Sequence, residues 1–225
     1  MRVFSAVAAA AALLAGASVA AAADTTPDAA AIRAKVTAAQ GSVTSFHLVV
    51  TGPGMSGVGT VVTKPMLMHL EMASGPAIID MYLDASAKNG VTMYQQIGKG
   101  GRWTAMVLPG GAALQKTLAT MLPAVREKST VVAAPDVVEG GVTYGAFSVE
   151  TPTASIPGAP TASPMTMTCT YDKTTYLVHS CSNGIVTQTF SAYNDPANVV
   201  TIPPDARSAP TTAFPFAPSS PSPAP

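Results

Sequence analysis

The chain has 225 residues, with 12 basic and 12 acidic side chains, so its formal net charge is zero. This balance excludes the strongly positive surface that binds nucleic acid or anionic lipid head groups. Charged residues make up 11% of the chain, against roughly a quarter in an average globular protein. The composition, rich in Gly, Pro, Ser and Thr, favours an exported chain built mainly from β-strands.

The N-terminal segment has the form of a secretory signal peptide. Arg2 precedes a weakly apolar run that ends in Ala21-Ala22-Ala23, and these are the parts of such a signal. An uncleaved membrane anchor is the alternative, but Ala and Gly make the run a poor membrane span. We therefore expect residues 1–23 to be removed and the mature protein to be periplasmic or secreted, and soluble.

A helix and a first pair of strands follow. Thr26-Pro27-Asp28 predicts a helix start, and Gly41 predicts its end. The hexapeptide Gly52-Pro53-Gly54-Met55-Ser56-Gly57 then fits the G-x-G-x-x-G dinucleotide fingerprint, which has meaning only where a strand leads into a helix. The β-branched run 58–63 predicts a strand instead, so we interpret the hexapeptide as a hairpin loop and not as a nucleotide site.

Alternating apolar residues and short turns continue through most of the chain. Strands are predicted at 45–50, 58–63, 66–72, 78–84, 91–97, 102–108, 130–138, 142–150, 165–171, 176–181, 184–193 and 199–202. One amphipathic helix interrupts them; its apolar face is formed by Leu114, Leu118, Met121, Leu122 and Val125.

This succession predicts the fold class and the domain limits. Consecutive strands joined by short turns form an antiparallel sheet, and an open sheet of about ten strands must curl or split. We predict an α+β fold in which a curved antiparallel sheet forms an unclosed half-barrel, with helices against its concave face. The domain spans residues 24–203, and the Pro-, Ser- and Ala-rich residues 204–225 are expected to form a disordered tail.

No catalytic or metal-binding motif is present in the sequence. His47, His69 and His179 fall in separate predicted strands, and neither H-E-x-x-H nor Cys-x-x-Cys occurs. We expect no enzyme activity, no cofactor and no metal. An exported hydrolase is the less favoured alternative, and it requires a Ser or Asp beside one of the three histidines.

Methionine is the informative residue type. The chain has 11 Met, and its flexible thioether side chain adapts to varied apolar partners. An ordinary core with Met as filler is the alternative, but a wide curved sheet with few helices leaves an apolar floor to which lipid chains bind. The predicted cavity residues are Phe46, Leu48, Met66, Met68, Leu70, Met72, Met81, Met93, Leu118, Met121 and Leu122, with Trp103, Tyr82 and Tyr94 at the rim.

The two cysteines, Cys169 and Cys181, flank a predicted hairpin. A four-residue loop at 172–175 places them on opposite faces, whereas a three-residue loop at 174–176 sets them directly opposite each other. The exported context favours a disulfide between them.

Three short segments resemble the periplasmic lipoprotein-carrier superfamily (LolA/LppX-like). They are Ser45-Phe46-His47, residues 171–177 from Tyr171 to Leu177, and the ending 190–203. The resemblance implies an unclosed barrel whose hydrophobic cavity, lidded by helices, carries acyl chains of lipids or lipoproteins through the cell envelope.

The function that we predict is non-enzymatic lipid binding or carriage in the envelope. The expected partner is a lipid or an acylated lipoprotein, with an envelope membrane protein as a further candidate, and we expect a monomer. The alternative is an envelope protein-interaction or stress-sensing module that has the same fold but a filled core.

Overall fold

The structure is a computed structural model that describes residues 27–85, 91–107, 130–151 and 165–213. The predicted signal peptide, the predicted helix with Leu118, Met121 and Leu122, and residues 214–225 lie outside the described residues.

The described chain is mostly β-strand. Its helices and strands are α1 (Pro27–Gly41), β1 (Ser45–Gly52), β2 (Met55–Thr63), β3 (Met66–Ser74), β4 (Ala77–Asp84), β5 (Thr92–Ile97), β6 (Trp103–Val107), β7 (Thr130–Glu139), β8 (Val142–Thr151), β9 (Met165–Tyr171), β10 (Val178–Ser182), β11 (Thr187–Ser191), α2 (Pro204–Arg207) and β12 (Thr211–Ala213).

Among the described residues, twelve strands form one sheet in the order β12-β6-β5-β4-β3-β2-β1-β11-β10-β9-β8-β7. Neighbouring strands are antiparallel from β6 to β7, and β12 adds to β6 in parallel. The ends of this order, β12 and β7, do not pair with each other, so the sheet is not closed. The predicted α+β class and the unclosed, curved antiparallel sheet are confirmed.

The turns explain where several strands end. Pro53-Gly54 joins β1 to β2, and Gly54 has a φ of +69°, which glycine adopts without strain. The hexapeptide that matches the nucleotide fingerprint is therefore part of a hairpin, as predicted, but only Pro53-Gly54 forms the turn, and residues 55–57 already belong to β2.

One face of the sheet, here called the inner face, packs against α1. Ala29 and Val36 of α1 are fully buried in one cluster with Leu48, Val50 and strand residues from β7 to β11. We call this group the helix-side cluster. Lys35 of α1 also donates a hydrogen bond of 3.0 Å to the hydroxyl of Tyr176, in the loop after β9.

The same inner face carries a second cluster on the other half of the sheet. This methionine cluster consists of Leu70, Met72, Ile79, Met81, Met93 and Met106, from strands β3 to β6. Met55 packs against both clusters, so it links the two halves of the inner face.

The end of the chain corrects two predictions. Residues 199–202 are not a strand, and the tail is ordered from 204 to 213, where α2 and β12 lie. The physical reason is apolar burial on the opposite, outer face: Val200, Ile202 and Ala206 pack against aromatic side chains of β4, β5 and β6. Ala206, together with Val200 and Ile202 just before it, therefore holds residues 204–213 on the sheet, a segment that its Pro and Ser content marked as disordered.

Candidate ligand-binding site

Strand register brings the methionines of four strands together. Met68 pairs with Leu83, Leu83 pairs with Met93, and Met93 pairs with Met106. Because paired residues of antiparallel strands share a face, these side chains lie together across β3 to β6 on the inner face. Together with the methionine cluster they form what is here called the methionine row. Met81 is 2% exposed and Met106 is 8% exposed, so the row is buried.

Two glycines of β2 extend this apolar surface toward β1. Gly57 and Gly59 also face inward, because Gly57 pairs with Met72 and Gly59 pairs with Leu70. A Cβ atom on Gly57 would lie 3.1 Å from Met72 Cγ, and one on Gly59 would lie 3.0 Å from Leu70 Cδ1. The side chains of Leu70 and Met72 therefore lean over the β2 backbone toward Leu48 and Val50.

The structure brings together most of the predicted cavity residues that it describes. Met68, Leu70, Met72, Met81 and Met93 share the buried row, and Phe46 and Leu48 belong to the helix-side cluster. Met66 lies on the same face at the start of β3, but it is 42% exposed. Ile79 and Met106 complete the row and were missed, although Met106 follows from placing the Gly98–Gly101 turn between β5 and β6.

The prediction that Trp103 belongs to this wall is wrong. In the β5–β6 pair, Gln96 faces Trp103 while Met93 faces Met106, so Trp103 projects from the outer face. There Trp103 packs with Tyr82 and Tyr94 beneath Val200, Ile202 and Ala206. These three aromatics hold the C-terminal segment on the sheet, and they do not form a rim for the methionine row.

One pocket is lined by residues of the helix-side cluster. Its lining residues are Gln40, Phe46, Val178, Phe190 and Tyr193. The enclosed space there is about 10 Å³, room for about one water molecule, against the roughly 300–1,000 Å³ of common small-molecule pockets. This pocket alone does not hold a long acyl chain.

Burial at this pocket changes the acidity of a tyrosine. Tyr193 donates a hydrogen bond to the carbonyl oxygen of Val178. Loss of solvation raises the pKa of Tyr193 to about 12, against a smaller opposite effect from its hydrogen bond with Gln40. The tyrosine therefore stays neutral across the physiological pH range.

Two histidines on the outer side of the sheet are paired with carboxylates. His69 Nε2 lies 2.8 Å from Asp80 Oδ1, and its ring stacks on Tyr82 with centroids 4.3 Å apart. His179 Nε2 lies 3.2 Å from Glu139 Oε2 and stacks on Tyr144. Sequence reasoning missed both pairs because they depend on strand register.

One of these pairs meets the requirement stated for a hydrolase, since Asp80 lies beside His69. Among the described residues, however, no Ser or Cys that could act as a nucleophile hydrogen-bonds to His69 or His179. Within the same residues, no group of three or more His, Cys, Asp or Glu side chains is placed to hold a metal ion.

The disulfide between Cys169 and Cys181 is present. The two residues pair directly across β9 and β10, with Cα atoms 4.1 Å apart. The loop differs from both predicted alternatives: Tyr171 pairs with Val178, and an irregularity at His179 then shifts the register to place the cysteines opposite each other. The bond lies on the inner face, in the helix-side cluster.

Comparison with known proteins identifies the fold. No protein-family model matches the sequence, and no curated protein matches it. Among solved structures, the lipoprotein LppX of Mycobacterium tuberculosis matches with a TM-score of 0.55 and 18% sequence identity, over 78% of this chain and 100% of that chain.

The chain shares its fold with LppX, which confirms the fold that the sequence resemblance implied. In the described part of the chain, no helix is both long and apolar enough to cross a membrane.

Proposed function

We propose that this protein is an exported, non-enzymatic carrier or binder of lipid or lipoprotein acyl chains in the cell envelope. The observation that carries the proposal is the continuous row of pliable apolar side chains on the inner face of an unclosed sheet. The partner is a lipid or an acylated lipoprotein, and the mature protein is periplasmic or secreted.

Three features support this proposal. The fold matches that of LppX, and the sequence resemblance to the lipoprotein-carrier superfamily implies carriage of acyl chains. In addition, flexible Met side chains can adapt to apolar ligands of varied shape. Each methylene moved from water to such a surface contributes about 0.8 kcal/mol, so a long chain has ample gross driving force. The disulfide fits an oxidising compartment outside the cytoplasm.

Native mass spectrometry of protein purified from an exporting host tests the proposal. We expect an additional mass that corresponds to a lipid and that disappears after organic extraction. Extracted protein should then take up a fluorescent fatty acid. Protein that is empty after mild purification and that takes up no fatty acid would contradict carriage.

A filled-core module with the same fold is the second candidate, and burial favours it. Leu70 is 0% exposed and Met72 is 2% exposed, because other protein atoms cover both side chains. In a filled core, Met72→Asp unfolds the protein, because an unpaired charge is buried. In a carrier, the variant stays folded and loses ligand uptake. Met66→Asp, on the same strand face but 42% exposed, is the matched control for both outcomes.

A further inference from the structure

A buried amide nitrogen without a hydrogen-bond partner lies on the inner face. The side chain of Gln188 in β11 is 2% exposed, and its Nε2 atom has no hydrogen-bond partner. Among the described residues, it is the buried side-chain nitrogen or oxygen that is left unpaired.

The neighbours of Gln188 are apolar. In the strand register it pairs with Val50 on one side and with Cys181 on the other, and both belong to the helix-side cluster. A buried donor that loses its hydrogen bonds to water is destabilising unless a new acceptor replaces them. A Met or Leu side chain would fill the same space without the free-energy cost of an unpaired donor. We therefore expect a hydrogen-bond acceptor to approach Gln188 Nε2 in the ligand-bound protein.

The position of Gln188 suits a ligand on the inner face. Phe190, two residues further along the same face, lines the pocket with Phe46 and Val178, about 7 Å away by strand rise. In the other direction, Val50, Gly57 and Met72 follow Gln188 across β1, β2 and β3. The amide therefore lies two residues along β11 from the pocket and shares the inner face with the methionine row, which begins three strands away at β3.

We propose that Gln188 Nε2 donates a hydrogen bond to the neutral carbonyl oxygen of an acyl ester or amide whose chain lies along the inner face. The acceptor is neutral because Val50, Cys181 and Phe190 supply no positive charge to balance a buried carboxylate. This inference rests on the proposed function and specifies its ligand: an esterified or amide-linked acyl chain, with the carbonyl group read by Gln188.

Competition binding with two matched ligands tests the inference. Nile red is first bound to lipid-free protein. Its displacement is then titrated with methyl hexadecanoate, with an alkane of equal length or with hexadecanoic acid, and the three apparent affinities are compared. Wild type should prefer the ester over the alkane by about fivefold, the contribution of one hydrogen bond. The acid should bind no better than the ester.

Gln188→Met should abolish the preference for the ester over the alkane. It should also raise the melting temperature of the lipid-free protein, because the unpaired donor is gone. Thr189→Val, the next residue on the opposite face, is the control and should keep the preference. A preference retained by Gln188→Met overturns the inference but leaves carriage intact, whereas wild type that binds neither ligand overturns both.

A second measurement does not depend on the variant. In isotope-labelled wild type, the side-chain amide resonances of Gln188 should shift when methyl hexadecanoate is added and stay in place when the alkane is added. Equal shifts with both ligands would contradict the hydrogen bond.

Discussion

Two inward-facing glycines determine how the inner face is covered. Without side chains at positions 57 and 59, Leu70 and Met72 reach over β2, and the methionine row meets the helix-side cluster. Larger residues there would separate the two halves with side chains of their own. Glycine has a low β-propensity and weakens the strand, but the absence of a side chain allows this close approach.

Gly59→Ala should therefore destabilise the protein. The added methyl group would clash with the backbone carbonyl oxygen of His69 and press on Leu70 Cδ1, and a backbone atom cannot move aside alone. We expect a loss of about 1–3 kcal/mol in the free energy of unfolding, measured with urea. Gly41→Ala is the control, because a methyl group there meets no atom within 4 Å. Equal stability of the two variants would contradict this account of β2.

Tyr193 predicts a pH dependence of stability. Its pKa is raised to about 12 in the folded protein from an ordinary value of 10.0, so folding favours the neutral phenol. That contribution is fully present below pH 10 and is lost as the pH rises toward 12. Tyr193→Phe has no phenol to ionise and lacks the hydrogen bond to the carbonyl oxygen of Val178. The variant should therefore be less stable than wild type by about 1 kcal/mol near neutral pH.

The gap between wild type and Tyr193→Phe in the free energy of unfolding should narrow between pH 10 and 12. The comparison is needed because burial also raises the pKa of Tyr82 and Tyr171, which titrate in both proteins. Urea unfolding at a series of pH values measures the gap, and a gap that stays constant over this range would show that the phenol is not buried in the neutral form.

At the scale of elements, the C-terminal segment acts as a cover for the outer face. Val200, Ile202 and Ala206 bury Trp103 and two tyrosines, and β12 extends the sheet beside β6. The cover lies opposite the methionine row, so it contributes to stability without touching the candidate site.

Removing the cover should expose the sole tryptophan. Deletion of residues 199–225, which include Val200, Ile202 and Ala206, should shift the fluorescence emission of Trp103, now 9% exposed, to longer wavelength and increase quenching by iodide. Deletion of 214–225 alone should leave the spectrum unchanged, since it keeps α2 and β12. An unchanged spectrum after the longer deletion would show that the segment does not cover Trp103.

Local patterns in the sequence predict most of these elements but not their pairing. Helix α1 and the β1–β2 hairpin follow from Pro27, Gly41 and the Pro53-Gly54 turn, because each signal acts over a few residues. The cysteine register depends on an irregularity at His179 that no turn rule indicates. The face of Trp103 depends on its pairing across β5, so alternation within β6 alone was not sufficient.

At the scale of the whole molecule, the sheet places two different surfaces back to back. The inner face combines α1, the disulfide, the unpaired Gln188 amide and the methionine row, whereas the outer face carries the aromatics and the C-terminal cover. Residues far apart in the chain, such as Met55 and Phe190, share the inner face only because β1 pairs with both β2 and β11. The order in which the strands pair therefore creates the candidate site. The alternation of apolar residues in the sequence predicts only the individual strands.

Photolabelling with a diazirine-bearing acyl ester tests the central claim most directly. Lipid-free protein is loaded with the probe, irradiated and mapped by peptide mass spectrometry. We predict labels on inner-face residues of β3 to β5, above all Met72, Met81 and Met93. Labels confined to exposed apolar positions such as Ile97 and Val199, or no labelling at all, would contradict an acyl-binding inner face.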